Sequence, residues 1–401
     1  MLLLLCVNSF LIKIQMSEAK FLDYQLKLIE PSFGSSLTDL IIELDYLRKK
    51  PLGGSTHPRV FFQLKHIFHT LESIGSARIE GNNTTVAEYI ETKLESNENI
   101  SEGVREIKNI ENAMEFIENN IDDYPINRLF LSELHKMIVK DLPLPPKGEG
   151  DHTPGVYRSI NLKINNSNHL PPDYIRVQDY MTELLSFIER EDSPKYDLLK
   201  AAIAHHRFVW IHPFGNGNGR TVRLFTYAML VKTGFNVNVG RIINPTAVFC
   251  SNRTDYYDNL SKADMGTEKG VLAWCEYVLK GLKEEIEKID KLSDYDYLKK
   301  EILLPSLVHS LEREYITDTE SKILRKVIEL QVIQASDLKK IFVGKVSSEV
   351  SRQIKKLINK KMLVPEKEGA RKYIIRFDNN FLLRGVIRIL DEKGFLPVRD
   401  L

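Results

Sequence analysis

The thirteen residues from Ile211 to Arg223, IHPFGNGNGRTVR, gather one histidine, the closely spaced Gly215, Gly217 and Gly219, and two arginines. Glycine and asparagine beside arginine invite a phosphate-loop reading. GxGxxG fails at its third glycine, because position 220 is arginine, and GxxxxGK[ST] has no lysine. The upstream run LLKAAIAHHRFVW has the period of a helix rather than a strand. The arrangement is therefore helix, glycine-rich turn, helix. Such a turn is still an anion site: Gly217, Asn218 and Gly219 present backbone N–H groups at the N-terminus of a helix beginning near Arg220. Arg220 and Arg223, three apart, share a helix face and together suit a di- or triphosphate. His212 lies five residues before the GNG turn, and an imidazole titrating near neutrality suits a general base. Beside an anion cradle, the chemistry it points to is deprotonation of a hydroxyl that attacks phosphorus; a histidine of purely structural role is the alternative.

Several elements must position these residues. Apolar residues three and four apart over 55–72, 104–119, 128–139, 177–189, 198–209, 221–232 and 271–292 predict a mainly α protein, a helical bundle. Residues 142–172 differ. PLPPKGEGDHTPG gives way to the alternating VYRSINLKI and then NNSNHLPP, which predicts a short β-hairpin or flap, a plain surface loop being the alternative. Near the C-terminus, helices over 318–331, 336–342 and 347–361 precede a strand–turn–strand over 362–376, the outline of a winged helix-turn-helix. Residues 336–376 hold twelve Lys/Arg against four Asp/Glu, the local charge that phosphate contacts with DNA require. A winged helix used for packing or homodimerisation is the other reading.

The whole chain adds limits. Its 56 basic and 55 acidic residues leave a net charge of +1, so no global field favours nucleic acid or acidic partners. Cys6, Cys250 and Cys275 are far apart and odd in number, against a disulfide framework or cysteine zinc site and in favour of a reducing cytoplasm. The opening MLLLLCVNSFLI is apolar but lacks a preceding charge, a cleavage site and the length to span a bilayer. It reads as an over-called start ahead of Met16, or a weak anchor over 1–15, and no stable membrane association is expected.

His212-Pro-Phe-Gly-Asn-Gly-Asn-Gly-Arg-Thr-Val-Arg223 resembles the signature of Fic-domain proteins, HPFx[D/E]GNGRxxR, matching every fixed position except the acidic one. Ser76-Ala-Arg-Ile-Glu80-Gly81 resembles that family's inhibitory pattern [S/T]xxxE[G/N], placed ahead of the core. Pro154-Gly-Val-Tyr-Arg158 through Pro172 sits where these proteins carry a target-binding flap, and Arg253-Thr-Asp-Tyr-Tyr257 with Asp264 resembles the stretch lining the adenine pocket. The resemblance covers roughly residues 40–290. It implies a segment 1–39, an inhibitory helical region 40–100, a Fic core 101–292 and an appended winged helix 293–401. It also implies protein adenylyltransfer: AMP moves from ATP to a Ser, Thr or Tyr hydroxyl of an unidentified target protein docked by β-augmentation on residues 154–172. His212 would take the hydroxyl proton. Gly217, Asn218 and Gly219 would hold the α-phosphate, Arg220 and Arg223 the β- and γ-phosphates, and Tyr256, Tyr257 and Asp264 the adenine. Phe214 would anchor the loop. Ser76, Glu80 and Gly81 would restrain the enzyme, with the Glu80 carboxylate on Arg223 in place of the γ-phosphate.

Asn216 departs from the family, which puts there the acidic ligand of a Mg²⁺ bridging the phosphates. An amide oxygen is a hard ligand without charge, so affinity for Mg²⁺ or Mn²⁺ should fall. A weakened transferase, a nucleotide-sensing DNA-binding regulator without chemistry, and a different phosphate-bearing substrate are the three outcomes. Among the other histidines, His66 and His69 find no local carboxylate to complete a metal set, and His205 and His206 read as packing behind the active loop.

Overall fold

The computed structural model describes residues 20–50, 54–95, 100–164, 167–235, 243, 245–344 and 347–396. The expected over-called start or anchor at 1–15 lies outside them. Among the described residues no helix is long and apolar enough to cross a membrane.

Among the described residues eleven helices build the body: α1 Ser36–Lys49, α2 Pro58–Ile79, α3 Val86–Glu95, α4 Glu102–Asn120, α5 Arg128–Val139, α6 Val177–Glu189, α7 Asp197–Ile211, α8 Asn218–Lys232, α9 Pro245–Ser251, α10 Arg253–Asp264 and α11 Glu268–Asp290. Local chemistry fixes their starts. Ser35, Ser101, Asn127 and Thr267 each accept a first-turn N–H with the side chain, and Pro58 occupies the first turn of α2, where its missing N–H costs nothing. Helices α7 and α8 are buried almost all round, as expected where apolar residues do not confine themselves to one stripe. They form the centre, with α2, α4, α5 and α11 around them. Helix α2 runs seven residues beyond its expected end at 72, which brings Ser76 and Glu80 to its last turn.

The expected hairpin at 156–164 is corrected by the structure. Residues 156–164 form no ladder; bends at 156, 159 and 160 break the segment, and among the described residues its neighbourhood holds one parallel bridge, His169 to Lys20. Arg158 explains why. Its side chain spends itself on the carbonyls of Ile160, Pro172 and His212, holding the segment against the body.

Beyond α11, a helical run opens as α12, Tyr295–Tyr297, passes through a π-helical turn and continues as α13, Leu304–Glu312. Helix α14, Asp318–Leu330, starts in a Thr317–Glu320 capping box. Strand β1, Val332–Gln334, a single 3₁₀ turn, helix α15, Ser347–Asn359, strands β2, Leu363–Pro365, and β3, Lys372–Ile375, and helix α16, Leu382–Glu392, follow. The sheet is antiparallel in the order β1-β3-β2. The expected helix at 336–342 shrinks to the 3₁₀ turn Ala335–Leu338, and β1 was too short for its alternation to register. This unit is stapled to α2: buried Gln63 donates to the Ile375 carbonyl at 2.9 Å and accepts from the Phe377 N–H at 2.8 Å.

Candidate active site

Helix α7 ends at Ile211, and His212 turns the chain in the left-handed region at φ 52° and ψ 62°. A β-carbon there costs about 1–2 kcal/mol, so the surroundings must enforce it. Arg158 does so: its Nε donates to the His212 carbonyl at 2.9 Å and its backbone N–H to the Pro213 carbonyl at 2.8 Å. His212 is half-buried, with Nδ1 3.4 Å from the Val209 carbonyl. Only a donor satisfies that oxygen, so the proton sits on Nδ1 and Nε2 keeps its lone pair. Burial pushes the His212 pKa down to about 4 against the pull of the Val209 carbonyl. The imidazole is therefore neutral at pH 7.

The loop that follows is closed by its own side chains. Phe214 is fully buried and stacks on His135 at 3.8 Å between centroids. Asn218 bonds Phe214 twice, accepting from its N–H and donating to its carbonyl, each at 2.9 Å. Its amide is thus committed to the loop, and what Asn218 offers an anion is its backbone N–H. Gly217 is left-handed at φ +71°, and a Cβ there would press on Ile138 and Val139. Helix α8 begins at Asn218, two residues before the expected start, so the first-turn N–H groups of Asn218, Gly219 and Arg220 have no intrahelical acceptor.

Both arginines are buried and engaged by carboxylates. Arg223 donates from Nη2 to Glu80 Oε1 at 2.7 Å and to the Ser76 carbonyl at 2.9 Å, and from Nε to Ser76 Oγ at 2.8 Å. Burial alone would lift the Glu80 pKa; the Arg223 and Arg220 cations outweigh it and hold it below the ordinary carboxylate range. The Gly81 of the SxxxEG pattern has a backbone reason. It sits at φ +105° after the last residue of α2, its N–H bonds the Arg78 carbonyl and that of Asn82 the Ala77 carbonyl, a Schellman closure. Glu80 is thereby aimed at the turn so closely that a Cβ on Gly219 would collide with its carboxylate.

Arg220 pairs with Glu106 at 2.9 Å and Glu149 at 3.1 Å, and donates to the Glu149 carbonyl. Asn216 is held on four sides. Its N–H donates to Asp151 at 2.6 Å, its carbonyl accepts from His135, its Oδ1 accepts from the Gly217 N–H at 2.8 Å, and its Nδ2 faces Glu149 Oε2 at 3.3 Å. His135 accepts from the Gly155 N–H at Nδ1, so its proton is on Nε2, towards Asn216. One neutral imidazole thus joins the turn at Gly155 to the glycine turn. Burial pushes its pKa down to about 4.

The remaining expected residues divide. Tyr256 is buried with its hydroxyl on His205 at 3.0 Å, and Asp264 pairs with His206 at 2.9 Å, while Tyr257 is 44% exposed beside the site. His205 and His206 pack behind the loop as expected; His66 and His69 each pair with one distant carboxylate, Asp378 and Glu118. Sequence reasoning missed Glu106, Glu149, Asp151 and His135. The carboxylates between glycines in GEGD carried the one usable signal: Gly148 and Gly150 leave no room for a Cβ, so that stretch packs tightly rather than looping into solvent.

A family model described as Fic/DOC family matches residues 125–230. The curated relatives include "Protein adenylyltransferase Fic" of Culex quinquefasciatus, 29% identical over 210 residues, covering 51% of this chain and 37% of that protein. Its counterpart in Nematostella vectensis is 28% identical over 216 residues, 51% of this chain and 44% of that protein. The chain thus matches less than half the length of these relatives. A crystal structure of a Fic family protein from Desulfovibrio desulfuricans shares the fold with a TM-score of 0.54 at 19% identity, covering 88% of this chain and 98% of the other. Fic-1 of C. elegans, residues 134–508, gives 0.50 at 20% identity over 63% and 71%. The signature turn lies inside residues 125–230, the stretch that the Fic/DOC family model matches, and the fold around it is shared with these Fic structures.

Proposed function

We propose that the chain is a protein adenylyltransferase, transferring AMP from ATP to a Ser, Thr or Tyr hydroxyl of a target protein, and that Glu80 restrains it. The observation carrying this reading is the convergence of a neutral, rigidly held His212, a free first turn of α8 and two buried arginines within one turn between helices. The target hydroxyl gives its proton to His212 Nε2 as its oxygen bonds the α-phosphorus; the bond to the bridging oxygen breaks and pyrophosphate leaves. The N–H groups of Asn218, Gly219 and Arg220 bind the phosphate oxygens, and Arg220 and Arg223 offset the charge carried off by the leaving group. Phosphoryl chemistry depends mainly on alignment, so a carboxylate holding Arg223 leaves ATP in an unproductive pose.

A divalent cation held here would neutralise phosphate charge. The Glu149 carboxylate, which faces Asn216 Nδ2, and Asn216 Oδ1, which is turned to the Gly217 N–H, are hard oxygen donors. Mg²⁺ takes one or two protein ligands and otherwise waters and phosphate; among the described residues no group of three or more His, Cys, Asp or Glu is placed to hold a metal by itself. The donor set fits. Tyr257, exposed beside Arg223, is the best-placed of the three tyrosine and aspartate candidates for the adenine. The segment 154–172, with Val156 and Ile160 exposed, would receive an extended stretch of target by main-chain pairing. The domain division follows as 40–100, 101–292 and 293–401.

ATP labelled at the α- or the γ-phosphate tests the reaction in the Glu80→Gly chain. Label retained on protein from the α position alone supports AMP transfer; retention of γ-label would refute it.

DNA recognition by the C-terminal winged helix is a second reading, supported by the twelve basic residues of 336–376. It is weakened by their engagement: Lys356 and Lys360 both pair with buried Glu320, and Arg352 with Glu349. A duplex shift by the full chain that weakens steeply between low and moderate salt would support it.

A further inference from the structure

The acidic position of the family signature is filled here by Asn216, yet the negative charge is not missing from the site. Glu149 Oε2 stands 3.3 Å from Asn216 Nδ2 and 3.1 Å from Arg220 Nη2. We propose that Glu149, through the Oε1 that neither Asn216 nor Arg220 engages, supplies the anionic ligand for the divalent cation that Asn216 cannot. This rests on the adenylyltransfer reading.

Three observations single out Glu149. Its backbone is fixed. The Glu149 N–H donates to Glu102 at 2.8 Å, its carbonyl accepts from Arg220 at 2.9 Å, the Gly150 N–H donates to Pro143 at 2.8 Å, and the Gly150 carbonyl accepts from Asn216 Nδ2 at 3.2 Å. Glycines at 148 and 150 are required by contacts a Cβ could not share. The carboxylate is therefore held against residue 216 by short-range geometry rather than by chance of rotamer.

Neighbouring carboxylates are otherwise occupied. Asp151 is buried, with one oxygen on the Asn216 N–H and the other on the Thr153 N–H. Glu106 is 3% exposed and held by Asn82 and Arg220. Glu80 is bound to Arg223. Glu149 is the open one, 41% exposed, with Oε1 free of any hydrogen bond among the described residues. A cation that keeps several of its waters needs a ligand reached from solvent, and of the four only Glu149 offers that.

The same carboxylate also touches Arg220, so a competing explanation is available: Glu149 would act as a second restraint, occupying an arginine meant for phosphate. The two make opposite predictions. A metal ligand, once neutralised, costs metal affinity; a restraint, once neutralised, raises nucleotide affinity without metal.

The test uses the full chain carrying Glu80→Gly, a non-hydrolysable ATP analogue and Mn²⁺, read by the relaxation of water protons around bound Mn²⁺ and, separately, by analogue binding with chelator present. Adding Glu149→Gln is expected to weaken Mn²⁺ binding about tenfold or more, to leave metal-free analogue binding within about twofold, and to be rescued by Asn216→Asp, which returns a carboxylate to the loop. Unchanged Mn²⁺ affinity, tighter metal-free analogue binding, or absence of rescue overturns the proposal. Because the readout is metal binding, the two claims fail separately. Mn²⁺ held through Glu149 without AMP transfer would sink the adenylyltransfer reading alone; transfer with Mn²⁺ affinity indifferent to Glu149 would sink this inference alone.

Discussion

Replacing Glu80 by glycine removes one partner of a short, largely buried ion pair and, on the proposed adenylyltransfer, should release the activity that Glu80 restrains. The Arg223 side chain is 2% exposed and that of Glu80 28%, with 2.7 Å between Nη2 and Oε1. A hydrogen bond between charged groups contributes about 1.5–3 kcal/mol net. That is the advantage a γ-phosphate must overcome to claim Arg223. Over that range, release raises the productively bound fraction roughly 10- to 150-fold. Glycine is accommodated at 80, where φ is −83° and the next residue already closes the helix. Initial rates of label incorporation from α-labelled ATP, at saturating nucleotide and Mn²⁺, measure the ratio. Glu80→Gln, which keeps a neutral acceptor, should fall between the two because a neutral bond contributes only about 1 kcal/mol. Equal rates for the wild-type and Glu80→Gly chains, with both binding nucleotide, would refute the reasoning.

Four other outcomes follow from the geometry. In the Glu80→Gly chain the acid limb of the pH–rate profile should lie well below the ordinary histidine value of 6.5. Burial pushes His212 down to about 4, so the neutral base persists as pH falls from 7 and is lost only on passing the folded value; an inflection near 6.5 would contradict this. Asn216→Asp should lower the Mn²⁺ concentration for half-maximal rate by about tenfold, and an unchanged requirement would count against a metal at this position. Phe214→Ala should cost about 3–5 kcal/mol in denaturant unfolding, since it empties a fully buried ring site stacked on His135; a loss below about 1 kcal/mol would show that the loop does not depend on that contact. Glu72 is buried, and burial raises its pKa to about 8, so the folded chain takes up a proton. That contribution is complete below the ordinary value of 4.5 and fades as pH rises towards 8. Glu72→Gln should therefore stabilise the chain by roughly 2–3 kcal/mol at pH 7 and little at pH 4.5; equal effects at the two pH values would be inconsistent with a protonated Glu72.

The helical body was legible because burial imposes a period. Residues 128–139 and 177–189 fold as the helices their apolar spacing prescribed. The turn at 212–219 was legible because its residue types are demanded by its backbone: Gly217 is left-handed and Gly219 faces a carboxylate at collision distance. Residues 156–164 were misread as a hairpin because strand-like alternation reports a two-faced chain, not a partner, and Arg158 ties this one to loop carbonyls instead. Glu106, Glu149 and His135 escaped notice for a different reason. Each lies on an element remote in sequence, and only folding brings them within bonding distance of residues 216–220. Their role depends on long-range contacts that no local pattern encodes. The two glycines around Glu149 hinted at close packing, though not at what packed there.

His212 bears the central claim, and intact-mass measurement of the full chain after incubation with ATP and Mn²⁺ tests it most directly. The Glu80→Gly chain should gain the mass of one or more AMP groups on itself or on a supplied protein target, and Glu80→Gly with His212→Ala should gain none while still binding a fluorescent ATP analogue. AMP addition that persists without the imidazole would contradict the account.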